Sequence, residues 1–198
     1  MQWIIAGLGN PEKEYEGTRH NAGREFLRAA LKKEDVTEWK FDKKTRSLAA
    51  KGELFGAKAI FLLPETHMNN SGGALKPLVA SAKQGKQTIV LHDDLDLPLG
   101  TVKLSFGSGS GGHKGVESIQ KALKTRDFIR IRIGISPSTP KGKAKKPDSS
   151  KVIDFVLGKF RAGEADKLKK ARKNVADALK LILTEGLARA MTEINSRV

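Results

Sequence analysis

The sequence predicts an α/β protein, a single domain in which one mixed β-sheet carries helices on both faces. Short apolar runs of strand length alternate with segments whose apolar residues recur at helical spacing. Their order is strand, helix, two strands, helix, two strands, helix, strand, which gives a mixed sheet covered by helices. The 198 residues include no cysteine, and that length buries a core without disulfide or metal staples. Residues 1–198 therefore read as one domain.

The first strand is expected over Gln2–Leu8, an apolar run ending in Gly7-Leu8-Gly9-Asn10-Pro11. A helix from Asn21 to Lys33 follows, with Phe26, Leu27, Ala30 and Leu31 at helical spacing. Ser47–Leu54 and Ala57–Leu63 read as strands joined by a short turn at Phe55-Gly56. Ser71 suits the N-cap of a helix over Gly72–Ala82. Thr88–His92 is a continuous apolar strand and Val102–Phe106 a short alternating one. After a glycine-rich stretch, Val116–Lys124 is helical and Phe128–Ile135 alternates as a strand. Ser136–Lys151 holds three prolines, four serines, one glycine and five lysines, the composition of a flexible basic loop. Ala165–Leu183 places Leu168, Ala171, Val175, Leu179 and Ile182 on one face of an amphipathic helix. A final helix is expected over Leu187–Asn195 after Gly186.

Composition excludes several functions. Without cysteine there is no disulfide framework, thiolate zinc site or cysteine nucleophile. No apolar run approaches the ~20 residues of a membrane helix. The start, Met-Gln-Trp-Ile-Ile-Ala-Gly, lacks the basic segment and long apolar stretch of a secretion signal, so the cytoplasm is the expected location. Lysine and arginine number 37 against 22 aspartates and glutamates, a net charge of +15. That surplus suits a polyanion, nucleic acid above all, and equally a solvated surface that favours lysine.

The familiar motifs fail one by one. Gly7-Leu8-Gly9 after a strand suggests dinucleotide binding, but Glu12 stands where a third glycine is needed and Pro11 disrupts the helix start. Gly107–Gly115 is glycine-rich yet lacks the Gly-Lys-Ser/Thr of a phosphate loop, and no serine sits in a Gly-x-Ser-x-Gly elbow. Histidines 20, 67, 92 and 113 form no i, i+4 pair for a metal. Asp93, Asp94 and Asp96 read as a turn after a strand before they read as a magnesium site.

What remains is a set of polar residues at strand ends and helix starts: Asn10 and Tyr15, Thr18-Arg19-His20-Asn21, His67-Met68-Asn69-Asn70, His92-Asp93-Asp94 and His113-Lys114. In open α/β sheets the carboxyl ends of strands form the ligand crevice. A neutral histidine takes a proton from water when a carboxylate fixes its tautomer. Asparagine amides donate to carbonyl oxygens and accept from amide N–H groups, which suits a peptide backbone. Taken singly, Asn10 and Asp93 also read as turn residues, Asn21 as a helix cap, His20 as a surface histidine and Met68 as core filler. The residues by themselves reach a basic α/β protein equipped to hydrolyse something anionic.

The blocks Gly7-Leu8-Gly9-Asn10-Pro11, Thr18-Arg19-His20-Asn21-Ala22-Gly23, Pro64–Gly72, His92–Gly100 and Gly111-Gly112-His113, with Tyr15 between the first two, resemble bacterial-type peptidyl-tRNA hydrolase over essentially the whole chain. The resemblance implies that family's fold and cleavage of the ester joining a peptide to the terminal ribose of tRNA, which recycles tRNA from aborted translation. It implies no cofactor, no metal and no membrane, with peptidyl-tRNA as partner and a monomer as the working form. By the same resemblance His20 is the base that activates water, Asp93 the carboxylate that orients it, and Asn10 the position that tells N-blocked from free aminoacyl-tRNA. Tyr15, His67, Asn69 and His113 fall at substrate-contact positions, Met68 lines the crevice, and Lys103 and Arg132 match basic positions associated with tRNA phosphates. Two residues depart from the pattern. Lys114 stands where the family usually has asparagine, and a cation there would lower the pKa of a nearby His20. His67 stands where Tyr or Phe usually precedes Met-Asn. The Ser136–Lys151 loop is also longer than usual. A tRNA-binding protein with decayed catalysis, Lys114 being the lesion, and an esterase or amidase for other N-acylated compounds stay open as rival readings.

Overall fold

Seven strands form one sheet in the computed structural model, which describes residues 2–32 and 34–198. The strands are β1 (Trp3–Gly7), β2 (Lys40–Asp42), β3 (Ser47–Leu54), β4 (Ala57–Pro64), β5 (Thr88–Pro98), β6 (Val102–Phe106) and β7 (Ile129–Ser136). Their order across the sheet is β2-β3-β4-β1-β5-β7-β6. The inner strands β4, β1, β5 and β7 run parallel, and β2, β3 and β6 join antiparallel at the margins. The inner strands β1 and β7 are buried at nearly every position because both their faces are covered, whereas β3 exposes Lys51 and Glu53 because one side is wetter. Phe55 and Gly56 both adopt positive φ, 51° and 78°, as a two-residue turn between right-twisted strands requires.

The helices are α1 (Ala22–Leu31), α2 (Gly72–Leu75), α3 (Ala82–Lys86), α4 (Lys114–Leu123), α5 (Val152–Leu157), α6 (Ala165–Glu185) and α7 (Leu187–Asn195). On one face Phe26 and Leu27 of α1, Val175 and Leu179 of α6 and Ile194 of α7 close a core against Ile89, Leu91 and Ile131. On the other, Leu75 of α2 and Val116 and Ile119 of α4 pack with Leu8, Met68 and Val90. Helices thus cover both faces, as expected, and each fully buried leucine or phenylalanine contributes about 1.5–3 kcal/mol.

Several boundaries differ from expectation. The segment expected as one helix over Gly72–Ala82 is split, because Pro77 has no N–H to continue the ladder of α2. Ser71 is not a cap: its hydroxyl donates back to the Met68 carbonyl, while Ser81 caps α3 by accepting from the Gln84 amide. The strand expected to stop at His92 continues to Pro98, since pairing with β7 carries on past Asp94 through an irregularity. The end expected at Lys33 lies outside the described residues. The strand β2 and the helix α5 were not expected, being too short for periodicity to register. The basic segment is also shaped rather than featureless. Ser138 bridges Ala144, Gly142 donates to Thr139, and Lys146 pairs with Asp96 beside the crevice.

Candidate active site

The glycines of Gly7-Leu8-Gly9 work by letting α1 approach the sheet. A Cβ on Gly7 would lie 2.6 Å from the Gly23 carbonyl oxygen, and one on Gly23 would lie 2.2 Å from that of Leu91. The helix N-terminus is thereby pressed against the carboxyl ends of β1 and β5. His20 sits there, in a one-turn 3₁₀ segment, Arg19–Asn21, that runs into α1.

Both neighbours of His20 are anchored. The buried Arg19 guanidinium donates to the Glu164 carboxylate at 2.9 and 3.1 Å and to the Ile135 carbonyl at 3.4 Å. It also lies 4.8 Å from the ring centres of Phe155 and Phe160, a cation–π arrangement. Asn21 clasps the Asn10 backbone, its oxygen accepting from the Asn10 N–H at 2.8 Å and its amide donating to the Asn10 carbonyl at 3.0 Å. A histidine with fixed neighbours on each side has little room to wander.

The His20 Nδ1 lies 2.9 and 3.0 Å from the two oxygens of Asp93. Asp93 is 3% exposed on β5, and its carboxylate also meets His113 Nε2 at 2.8 Å. Burial alone would raise Asp93, but the charge and hydrogen bonds of the two imidazoles hold it well below the usual carboxylate range. An ionised carboxylate only accepts, so Nδ1 of His20 carries the proton and Nε2 has the lone pair. That Nε2 makes no hydrogen bond to another described residue, and His20 lines the crevice. Burial pulls the His20 pKa down, yet Asp93's charge and hydrogen bond outweigh it, and the value sits above the ordinary imidazole value.

His113 is the N-cap of α4, its Nδ1 accepting from the N–H groups of Gly115 at 3.1 Å and Val116 at 3.3 Å. His20, Asp93 and His113 each place one ligating atom within 4.8 Å of the others, a spacing open to a metal ion. The hydrogen bonds oppose that use. With Nδ1 occupied as an acceptor, the His113 ring proton sits on Nε2, the atom that would have to bind the metal. His92, fully buried behind them, packs edge-on against His113 with ring centres 4.7 Å apart. Burial drives its pKa well below the ordinary imidazole value, so the ring is neutral.

These groups open into a crevice of about 520 Å³. Asn10, His67, Met68 and Asn69 line one side, and Asp94, Leu95 and the loop Ser110–Lys114 the other. Asn10 Oδ1 accepts from the Met68 N–H at 2.8 Å, which leaves its NH₂ as the group to offer a ligand. Met68 is core floor, 5% exposed. His67 and Asn69 are exposed at the rim, His67 lying 3.6 Å from Glu12. Lys114 also stays at the rim: its side chain is 73% exposed and lies 3.9 Å from Glu117. The lowering of His20 expected from a nearby lysine does not arise: the Lys114 ammonium stays on the exposed rim, and burial and Asp93 set that ring.

Of the residues expected in a catalytic, substrate-contact or tRNA-binding role, Asn10, His20, His67, Met68, Asn69, Asp93, His113 and Lys114 converge on this crevice. Three do not line it. Tyr15 lies on the turn before Thr18, its hydroxyl facing Glu14. Lys103 and Arg132 are cross-strand neighbours on β6 and β7, with Arg132 Nε donating to Asp94 at 2.6 Å. The sequence reading missed the apolar wall of Val152, Ile153, Val156 and Leu157 on α5. Its only signal is the i, i+4 spacing of two apolar pairs in a six-residue helix.

The sequence matches the model of the family described as peptidyl-tRNA hydrolase over residues 4–198. A peptidyl-tRNA hydrolase of Carboxydothermus hydrogenoformans is 40% identical over 194 residues, covering 98% of each chain. One from a Thermoanaerobacter species is 40% identical over 196 residues, covering 98% of this chain and 99% of the relative. The crystal structure of peptidyl-tRNA hydrolase from Acinetobacter baumannii superposes with a TM-score of 0.86 at 32% identity, covering 98% of this chain and 94% of that one.

Proposed function

The chain belongs to the peptidyl-tRNA hydrolase family, and we propose from that premise how it cleaves the ester between peptide and tRNA. The carrying observation is the His20–Asp93 pair, buried at the floor of the crevice with Nε2 of His20 left unengaged. His20 Nε2 takes a proton from water while the water oxygen adds to the ester carbonyl. The tetrahedral oxyanion is met by the Asn69 amide or by backbone N–H groups of Gly111-Gly112 at the crevice edge. When it collapses, the ribose oxygen leaves with the proton returned by His20, and the peptide acid so formed gives water's second proton to solvent and departs as a carboxylate. General-base action contributes on the order of 10²–10⁴ in rate, and oxyanion donors about 10²–10³. No step calls for a metal.

Asn10 offers only its NH₂, because its oxygen is held by the Met68 amide. A donor at that place welcomes the carbonyl of an N-acyl group and opposes the ammonium of a free aminoacyl ester, which is also a donor. The tRNA body is held by phosphate contacts from Lys103 and Arg132, with Tyr15 and His67 touching substrate nearer the crevice. Phosphate contacts set affinity without reading sequence, and each adds about −0.7 to −0.9 to the log–log salt slope. Every group in this mechanism comes from one chain, which supports a monomer acting in the cytoplasm, where peptidyl-tRNA is made. No described helix is long and apolar enough to cross a membrane.

Incubation with an N-acetyl-aminoacyl-tRNA in EDTA is the direct test. Release of free tRNA, lost in His20→Ala while tRNA binding persists, is the expected result. Binding without release would favour a decayed tRNA-binding protein, and release abolished by chelation would refute the metal-free route.

A further inference from the structure

We propose that His113 is a positioning residue for the reaction rather than a substrate contact: it holds Asp93 from the side opposite His20 and so divides the carboxylate between two donors. The inference rests on the reading of His20 as base. Its support is the bonding of the His113 ring, whose two nitrogens are both engaged inside the protein. Nδ1 accepts the first free N–H groups of α4, and Nε2–H donates to Asp93 Oδ1 at 2.8 Å. The side chain is 9% exposed, leaving no polar edge for a ligand.

The consequence for His20 follows from acceptor strength. A carboxylate that serves two N–H donors is a weaker acceptor for each than one that serves a single donor. His113 therefore moderates the pull of Asp93 on the His20 proton and keeps the base from being held protonated at neutral pH. It is a fixed donor beside a titrating partner. The first turn of α4 is also tightly seated, a Cβ on Gly115 coming within 2.5 Å of Met68 Sδ. The His113 ring thus inherits the rigidity of the helix.

The titratable groups around the pair leave this assignment intact. His92 on β5 is held neutral by burial, and Asp94 is engaged by Arg132 of β7. Arg130 of β7 faces His92. Lys114 and Glu117 are paired on the exposed side of α4. On α1 Arg24 pairs with Glu65, Arg19 pairs with Glu164, and Asp154 of α5, which packs on the turn carrying His20, is exposed.

Two substitutions separate the roles of the ring. His113→Asn keeps a good N-cap and loses the reach to Asp93. His113→Gln keeps a donor long enough for Asp93 and loses the cap. The Asn variant should retain its KM for N-acetyl-aminoacyl-tRNA. The acid limb of its kcat/KM should move up by about 0.5–1 pH unit, a loss of about three- to tenfold near pH 6. The Gln variant should melt lower, with an acid limb near that of the unsubstituted protein. An Asn variant with an unmoved acid limb, or one whose KM rises while kcat holds, would overturn the proposal. Long-range ¹H–¹⁵N spectra of the unsubstituted protein decide it without any variant. The neutral His113 ring should be in the Nε2–H form, and an Nδ1–H form would refute it. Turnover surviving in His20→Ala would instead defeat the base assignment, leaving the His113 tautomer untouched.

Discussion

Replacing Asp93 by asparagine forces a choice that the structure settles in advance. The carboxylate accepts from His20 Nδ1 at 2.9 and 3.0 Å and from His113 Nε2 at 2.8 Å. Asparagine has one acceptor oxygen and one NH₂, so one imidazole must meet a donor with a lone pair of its own. His113 cannot yield, because its Nδ1 is committed to the Gly115 and Val116 amides. His20 therefore turns to the Nε2–H tautomer, and the nitrogen that faces the crevice no longer takes a proton. Loss of the charge-assisted hydrogen bond costs about 1.5–3 kcal/mol, roughly 10- to 150-fold in rate. The inverted tautomer extends the expected fall in kcat toward the ~10⁴ known for such a change in a serine-protease triad. The sign of the pH effect is equally definite. His20 stands above its ordinary value only because Asp93 outweighs burial, so in the variant burial prevails and the acid limb of residual activity moves to lower pH. Steady-state hydrolysis of N-acetyl-aminoacyl-tRNA across pH, with Tm as a folding control, measures both. A kcat within about tenfold of the parent on an unshifted acid limb would refute the reasoning.

Stability should respond to the same pair. Asp93 is held far below its unfolded value, so its contribution is present above about pH 4 and lost as pH falls through the folded value. His20 is raised, so its contribution is complete below about pH 6.5 and fades as pH rises through the folded value. Below about pH 4, denaturant titrations should show stability declining more steeply for the parent than for Asp93→Asn; parallel declines there would refute the coupling. Gly23→Ala puts a methyl 2.2 Å from the Leu91 carbonyl oxygen and 2.9 Å from the Leu8 nitrogen. Backbone cannot yield as side chains do, so Tm should fall by on the order of 10 °C, and a fall under about 2 °C would show that α1 shifts freely. Lys114→Asn alters an exposed side chain paired only at the rim, so activity should be kept or raised at unchanged Tm. A large loss of turnover would give that lysine a required role.

Much of the site was legible because chemistry confined to short blocks survives in one dimension. His20, Asn10 and Asp93 lie in such blocks at strand ends and helix starts, and the resemblance those blocks carry gave them their expected roles. The rest failed for identifiable reasons. Val152–Leu157 is too short to show a period, yet it supplies the apolar wall. The strand through Asp93 and Asp94 looked finished at His92 because apolarity ended there, whereas its pairing with β7 did not. Lys114 looked able to reach His20 from its sequence neighbourhood, and the direction of α4 sends it outward to Glu117.

The sequence by itself determined the fold class, the family and the candidates for the chemistry, since strand and helix periods and motif blocks are properties of the chain read locally. The tertiary structure decided which of those residues act on one another. Nothing in their order along the chain couples positions 20, 93 and 113. It is the close seating of α1 on β5 and of α4 beside it that puts two imidazoles on one carboxylate, and hydrogen-bond donors left over at a helix end that decide which nitrogen of each ring keeps the proton.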